Sequence, residues 1–119
     1  MIDVPLPENA SYFQVAALLV ESESIEVGID LVDPHAPERI LGLRFSGVAK
    51  LNVSKRHDDD EGCYLIGKIS LRKYQGSDVS NNQRLAEAFN GHTPSACYHL
   101  KIEGDLCIEI LAVDFNSTA

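Results

Sequence analysis

The chain has 119 residues, enough for one domain with its own apolar core and too few for two. Its 45% hydrophobic and 24% charged residues exclude collagen-like and disordered compositions. The formal net charge of -8, from 18 acidic and 10 basic residues, argues against a phosphate-backbone partner and for a basic one.

The charge is unevenly spread. Asp3, Glu8, Glu21, Glu23, Glu26, Asp30, Asp33 and Glu38 all precede Arg39, the first base, and beyond that point acids and bases balance. Cys63, Cys97 and Cys107 are an odd set without paired spacing, which predicts reduced thiols in a cytoplasmic protein. The opening Met-Ile-Asp-Val-Pro-Leu-Pro-Glu has neither the basic nor the apolar region of a secretory signal. The longest aliphatic run, Val15 to Val20, is far short of the roughly 20 residues a membrane helix needs.

Residues 1–11, with Pro5 and Pro7, read as an extended lead-in. From Tyr12 to Val20 nearly every position is apolar; Ala16 to Leu19 favour helix, while Tyr12, Phe13, Val15 and Val20 favour strand. The strand alternative makes Glu21-Ser22-Glu23 a hairpin turn leading into Ser24 to Leu31. In that second arm Ile25, Val27, Ile29 and Leu31 alternate with Ser24, Glu26, Gly28 and Asp30, the pattern of a half-buried strand.

Asp33-Pro34-His35-Ala36-Pro37 reads as a break, because its prolines remove amide donors and favour a turn. The chain restarts at Arg39 with Leu41, Leu43 and Phe45 alternating against polar residues, and Leu51 and Val53 keep the same parity, so one long strand is expected to hold its apolar face without a bulge, with Gly47 as the place for a bend. Asp58-Asp59-Asp60-Glu61-Gly62 reads as a loop tip. Cys63 to Tyr74 returns as a strand with Cys63, Leu65, Ile69 and Leu71 on one face, so residues 39–53 and 63–74 are expected to form a long hairpin at the centre of the sheet.

Ser80-Asn81-Asn82-Gln83 matches a capping box and predicts a helix over residues 80–90, with Leu85, Ala88 and Phe89 as its apolar face and Gly91 as its terminator. Tyr98, Leu100 and Ile102 then alternate up to the tight loop Gly104-Asp105, and Cys107 to Phe115 returns apolar on both faces, as a central or helix-covered strand does. The expectation is a single α+β domain over residues 1–119. It comprises a mostly antiparallel sheet of five or six strands built from hairpins, with one short helix on one face.

Catalytic and metal-binding patterns are weak. Four consecutive acids at Asp58 to Glu61 point in different directions and lack the alternating ligand spacing of a calcium loop. Cys97 and His99 share a face of their strand, but neither a glycine-rich turn nor an oxyanion donor lies beside them in sequence. His35, His57 and His92 have no zinc-ligand spacing. No enzyme activity, cofactor or metal is therefore expected, and no nucleic-acid or membrane partner.

A small acidic β-rich chain with the strand Leu-Gly-Leu-Arg-Phe-Ser-Gly-Val-Ala-Lys-Leu-Asn-Val resembles, in general character and over most of its length, bacterial immunity proteins that neutralise contact-dependent or polymorphic toxins. The resemblance implies a non-enzymatic inhibitor that masks the basic active site of a toxin, often a nuclease. It carries no residue-by-residue correspondence. The residues themselves point to an acidic face of Glu21, Glu23, Glu26, Asp30 and Asp33 as the partner-binding surface. Two alternatives stand beside this one: a secretion chaperone or adaptor holding a client on an apolar patch, and a small-molecule-binding or enzymatic domain with a pocket near His99.

Overall fold

The computed structural model describes residues 1–6, 10, 13–21, 25–55, 66–90 and 92–118. The chain runs through β1 (Ile2–Asp3), β2 (Gln14–Glu21), β3 (Glu26–Asp33), β4 (Ala36–Lys55), β5 (Ile66–Gln75), α1 (Gly76–Ser80), α2 (Gln83–Ala88), β6 (Ala96–Gly104) and β7 (Leu106–Thr118). The strands form one seven-stranded antiparallel sheet in the order β1-β5-β6-β7-β4-β3-β2.

This corrects the expected α+β domain of five or six strands with one short helix. The described residues are β-rich, and the two helices among them have only 5 and 6 residues. One added strand comes from the lead-in, where Ile2 and Asp3 pair with Lys73 and Arg72 of β5. The ambiguous run at Val15 to Val20 is strand, because Val15 and Leu18 meet Leu31 and Ile29 of β3 across the sheet.

The alternation in β3 is realised: Val27, Ile29 and Leu31 are buried in the main core, and β2 and β4 flank the strand on either side. The Asp-Pro step does not separate two units. The Asp33 carboxylate accepts the His35 amide at 2.9 Å, and the chain turns directly into β4 at Ala36.

The expected hairpin of β4 with β5 does not form. β4 pairs with β3 and with β7, from Gly42 opposite Thr118 to Lys55 opposite Leu106, while β5 pairs with β1 and β6. Alternation assigns faces and not neighbours. β7, apolar on both faces, takes the central place between β6 and β4.

Two irregularities change the face assignment. In β4, Gly47 has a φ of 61°, a Cβ there would lie 3.1 Å from Val113, and the register slips between Val48 and Lys50. Val48 and Leu51 consequently both pack against the core although their parity differs. In β5 the register slips between Ile66 and Lys68, which turns Ile66 inward with Ile69 and Leu71.

The sheet curls on itself, and the Ile66 N–H donates to the Phe13 carbonyl at 3.1 Å, tying the β2 side to β5. Its concave face holds a core that includes Ile29, Leu43, Phe45, Leu100, Ile102 and Ile110. The helices lie on the convex face, where Val79 and Leu85 cover Cys97 and Leu111 in a second, smaller core.

The predicted helix corresponds to α2, but it starts three residues later. Asn82 is its cap, its side-chain oxygen accepting the amides of Arg84 at 3.1 Å and Leu85 at 3.3 Å. Ser80 instead closes α1, where its hydroxyl donates to the Ser77 carbonyl. Asn90, with a φ of 53°, takes the left-handed conformation expected of Gly91, which lies outside the described residues. Among the described residues no helix is long and apolar enough to cross a membrane.

Candidate functional site

Among the described residues two surfaces, adjoining at Lys50, bring charged groups together. The first is the β2–β3 hairpin at the sheet's edge. Glu21 and Glu26 stand directly opposite each other in the register and both are exposed. Beside them Leu19, Val20 and Ile25 are 54%, 61% and 56% exposed. Val20, Ile25, Val27, Val48 and Leu51 line a shallow apolar groove of about 230 Å3, with Glu21, Glu26 and Lys50 also on its wall.

Ile25 departs from ordinary geometry. Its φ is 52°, a region where β-branched residues are strained, and its carbonyl accepts the Val48 amide at 3.2 Å. The hairpin is thereby anchored to the bend in β4.

The five acids assigned from sequence do not act alike. Glu21 and Glu26 come together, and Glu23 lies outside the described residues. Asp30 is engaged within the fold: the Arg44 guanidinium donates to its carboxylate at 2.7 Å and to the Ile29 and Leu43 carbonyls at 3.3 and 3.2 Å. Asp33, at the far end of β3, closes the turn into β4. Sequence alone pairs none of these acids with Arg44, which is 14 residues from Asp30.

The second surface is the convex face beside α2. An open cleft of about 570 Å3 is lined there by Lys50, Tyr74, Arg84, His99, Lys101 and Glu109 over an apolar floor that includes Leu85 and Leu111. Glu109 is its centre, with Lys50 Nζ at 2.9 Å from one oxygen and His99 Nε2 at 3.0 Å from the other. The Lys50 hydrogen bond, followed by that of His99, holds the Glu109 carboxyl down at about 2 against the opposing effect of burial.

An ionised carboxylate only accepts, so His99 Nε2 carries the proton and, in the neutral ring, Nδ1 is the acceptor. Lys101, opposite Glu109 in the register, turns instead to Glu103 at 3.1 Å. Cys97 does not join this group. It is buried under the helices, and burial pushes its thiol up, away from the thiolate a nucleophile requires.

A two-residue Gly104-Asp105 loop would set Glu109 opposite Leu100, on the other face of the sheet. The observed register is one residue away, with Lys101 opposite Glu109, and this shift brings Glu109 to His99. Lys50 and Arg84 reach the cleft from β4 and α2, and no local pattern announces that. The acidic run at Asp58 to Glu61 and Cys63 lie outside the described residues.

No protein-family model matches this chain, and no curated protein matches it. Among solved structures it is similar to an uncharacterized protein from Neisseria gonorrhoeae, with a TM-score of 0.63 and 12% sequence identity over 91% of each chain. At that identity the likeness concerns the fold.

Proposed function

We propose that this protein is a non-enzymatic protein-binding inhibitor of the toxin-immunity kind, which docks a basic partner on its β2–β3 hairpin. The carrying observation is the pairing of Glu21 with Glu26 at the apolar groove lined by exposed Val20 and Ile25. Two like charges directly opposite each other weaken a hairpin, and a lysine or arginine from a partner relieves that repulsion. The apolar side chains supply area that gains free energy when covered, and the groove between Val20 and Leu51 accepts an apolar side chain.

The strained backbone at Ile25 fits the same reading, since strain persists where a surface serves a purpose other than stability. The acids contribute chiefly to rate. Steering of a basic partner raises association by about 10- to 1000-fold at low salt.

The test is to co-purify the partner from the native host and then follow association by stopped flow with wild type and with Glu21→Lys/Glu26→Lys. The expected partner is a folded protein with a basic surface, and the variant should associate at least about tenfold more slowly at low salt, with the difference shrinking at high salt. Unchanged association, or an extended unfolded client in place of a folded partner, overturns the proposal.

A further inference from the structure

The convex cleft shares Lys50 with the hairpin groove, but its charges are arranged differently. Lys50 enters from β4, Arg84 from α2 and Lys101 from β6, beside the His99 imidazole, so three cations converge on one space from three elements. Its two carboxylates are engaged differently. Glu109 is ion-paired with Lys50 and hydrogen-bonded by His99, whereas Glu87 accepts only the neutral Gln83 amide at 3.1 Å and keeps its charge at the exposed rim, so Lys50, Arg84 and Lys101 stand against two carboxylates on the lining.

That leaves Arg84 and Lys101 as the cations available to an incoming group. Arg84 is exposed, and no ion pair to its guanidinium is present among the described residues. Lys101 is 53% exposed and is paired only with Glu103, itself 49% exposed, a contact that a ligand displaces at small cost. Arg84 supplies a planar fork of donors suited to two oxygens at once, and Lys101 supplies a point charge.

We propose that this cleft binds a small organic phosphate, a monoester whose phosphoryl oxygens meet Arg84 and Lys101 and whose organic part lies on Leu85, Leu111 and the Tyr74 ring. The volume of about 570 Å3 is that of a small-molecule site, and the lining combines an apolar floor with a few converging polar groups. The Tyr74 and His99 rings, with centroids 6.4 Å apart, form one wall. Glu109 positions that wall. By fixing the Lys50 ammonium and the imidazole it holds both groups in place without consuming Arg84 or Lys101.

The test uses the full chain, isotopically labelled, titrated with inorganic phosphate and with phenyl phosphate at constant ionic strength against chloride. Saturable amide shifts are expected at Arg84, His99 and Lys101, with phenyl phosphate binding about tenfold more tightly because its ring covers the apolar floor. Arg84→Gln/Lys101→Gln should weaken both by at least about tenfold, as loss of charge-assisted bonds does. Both side chains are exposed, so this variant keeps the fold; Lys68→Gln, on the same face outside the cleft, should bind as wild type does. Shifts that do not saturate, that scatter over all lysines and arginines, or that persist in the double variant overturn the proposal. Equal affinity for the two probes overturns the assignment of the floor to an organic group.

Discussion

Arg44 lies across Gly28 of the neighbouring strand, so close that a Cβ on Gly28 would sit 3.0 Å from the guanidinium nitrogen. The glycine leaves a flat place over which the arginine reaches Asp30 at 2.7 Å. Asp30 is therefore part of the sheet's internal electrostatics. Asp30→Lys sets a second cation against Arg44, and unfolding in urea should show a loss of about 1 kcal/mol, whereas Asp30→Asn should cost less. A loss confined to the charge reversal identifies repulsion; equal losses for both substitutions would point to the hydrogen bond instead.

Glu26 should respond in the opposite sense. Glu26→Lys replaces a like-charge pair with an attractive one across the hairpin, so stability should rise by about 0.2–1 kcal/mol, and the gain should fade with added salt. A urea midpoint lower than wild type at low salt would show that Glu21 and Glu26 do not repel each other in solution. The two acids of one strand thus separate by what faces them, Arg44 for Asp30 and Glu21 for Glu26.

Local pattern carried β3 from Val27 to Leu31, the pairing of β6 with β7 and the apolar character of β7. It missed the register of that pair, which is one residue from a Gly104-Asp105 loop, and Ile25, which is exposed ahead of β3. It did not carry the partner of β4. Pairing residues 42–55 with 106–118 is a long-range choice made by the apolar second face of β7, and alternation is silent on neighbours. Strict parity also failed at Ile66 and Val48, where register slips turn a residue inward. The helix was legible but its cap was misplaced: Ser80 with Gln83 satisfies the capping-box pattern, yet Ser80 is taken up by α1, and Asn82, a favoured cap residue without the box, starts α2. Of the cleft only His99 and Lys101, two apart on one strand, were legible together; Glu109 joins them through a one-residue register shift, and Arg84 and Lys50 arrive through tertiary packing.

Acid should weaken the fold through Glu109. Its carboxyl is held at about 2, below the ordinary value of 4.5, so the folded state binds fewer protons than the unfolded one between those limits. The stabilisation is complete above about 4.5 and disappears as pH falls towards 2. Solvent in the open cleft screens it to about 1–2 kcal/mol. Urea midpoints of wild type and Glu109→Gln should differ at neutral pH and converge at low pH. A gap that stays constant with pH would mean that Lys50 and His99 do not stabilise the ionised form.

Thiol reactivity should divide the cysteines by burial. Cys97 is fully covered by the helices, and desolvation, reinforced by the nearby Asp78 charge, raises its thiol. Cys107 is half-buried, its thiol donating to the Gly104 carbonyl at 3.7 Å. Native alkylation followed by peptide mapping should label Cys107 well before Cys97, with Cys97 reacting only after unfolding. Early labelling of Cys97 would mean that α1 and α2 lift from the convex face, and the cleft beside them would then open in solution.

Ile25 offers the sharpest separation of stability from binding. A β-branched residue in the left-handed region costs roughly 1–2 kcal/mol, and asparagine adopts that region far more readily. Ile25→Asn should therefore stabilise the fold by about 1 kcal/mol, visible as a Tm higher by several degrees. The same change removes an apolar side chain that is 56% exposed on the groove, so the partner complex should dissociate faster. A stabilised variant with weakened binding is the signature of a residue kept for its surface. A destabilised variant would mean that Ile25 packing outweighs its backbone strain, and a stabilised variant with unchanged dissociation would remove Ile25 from the docking surface and leave the strain without a purpose.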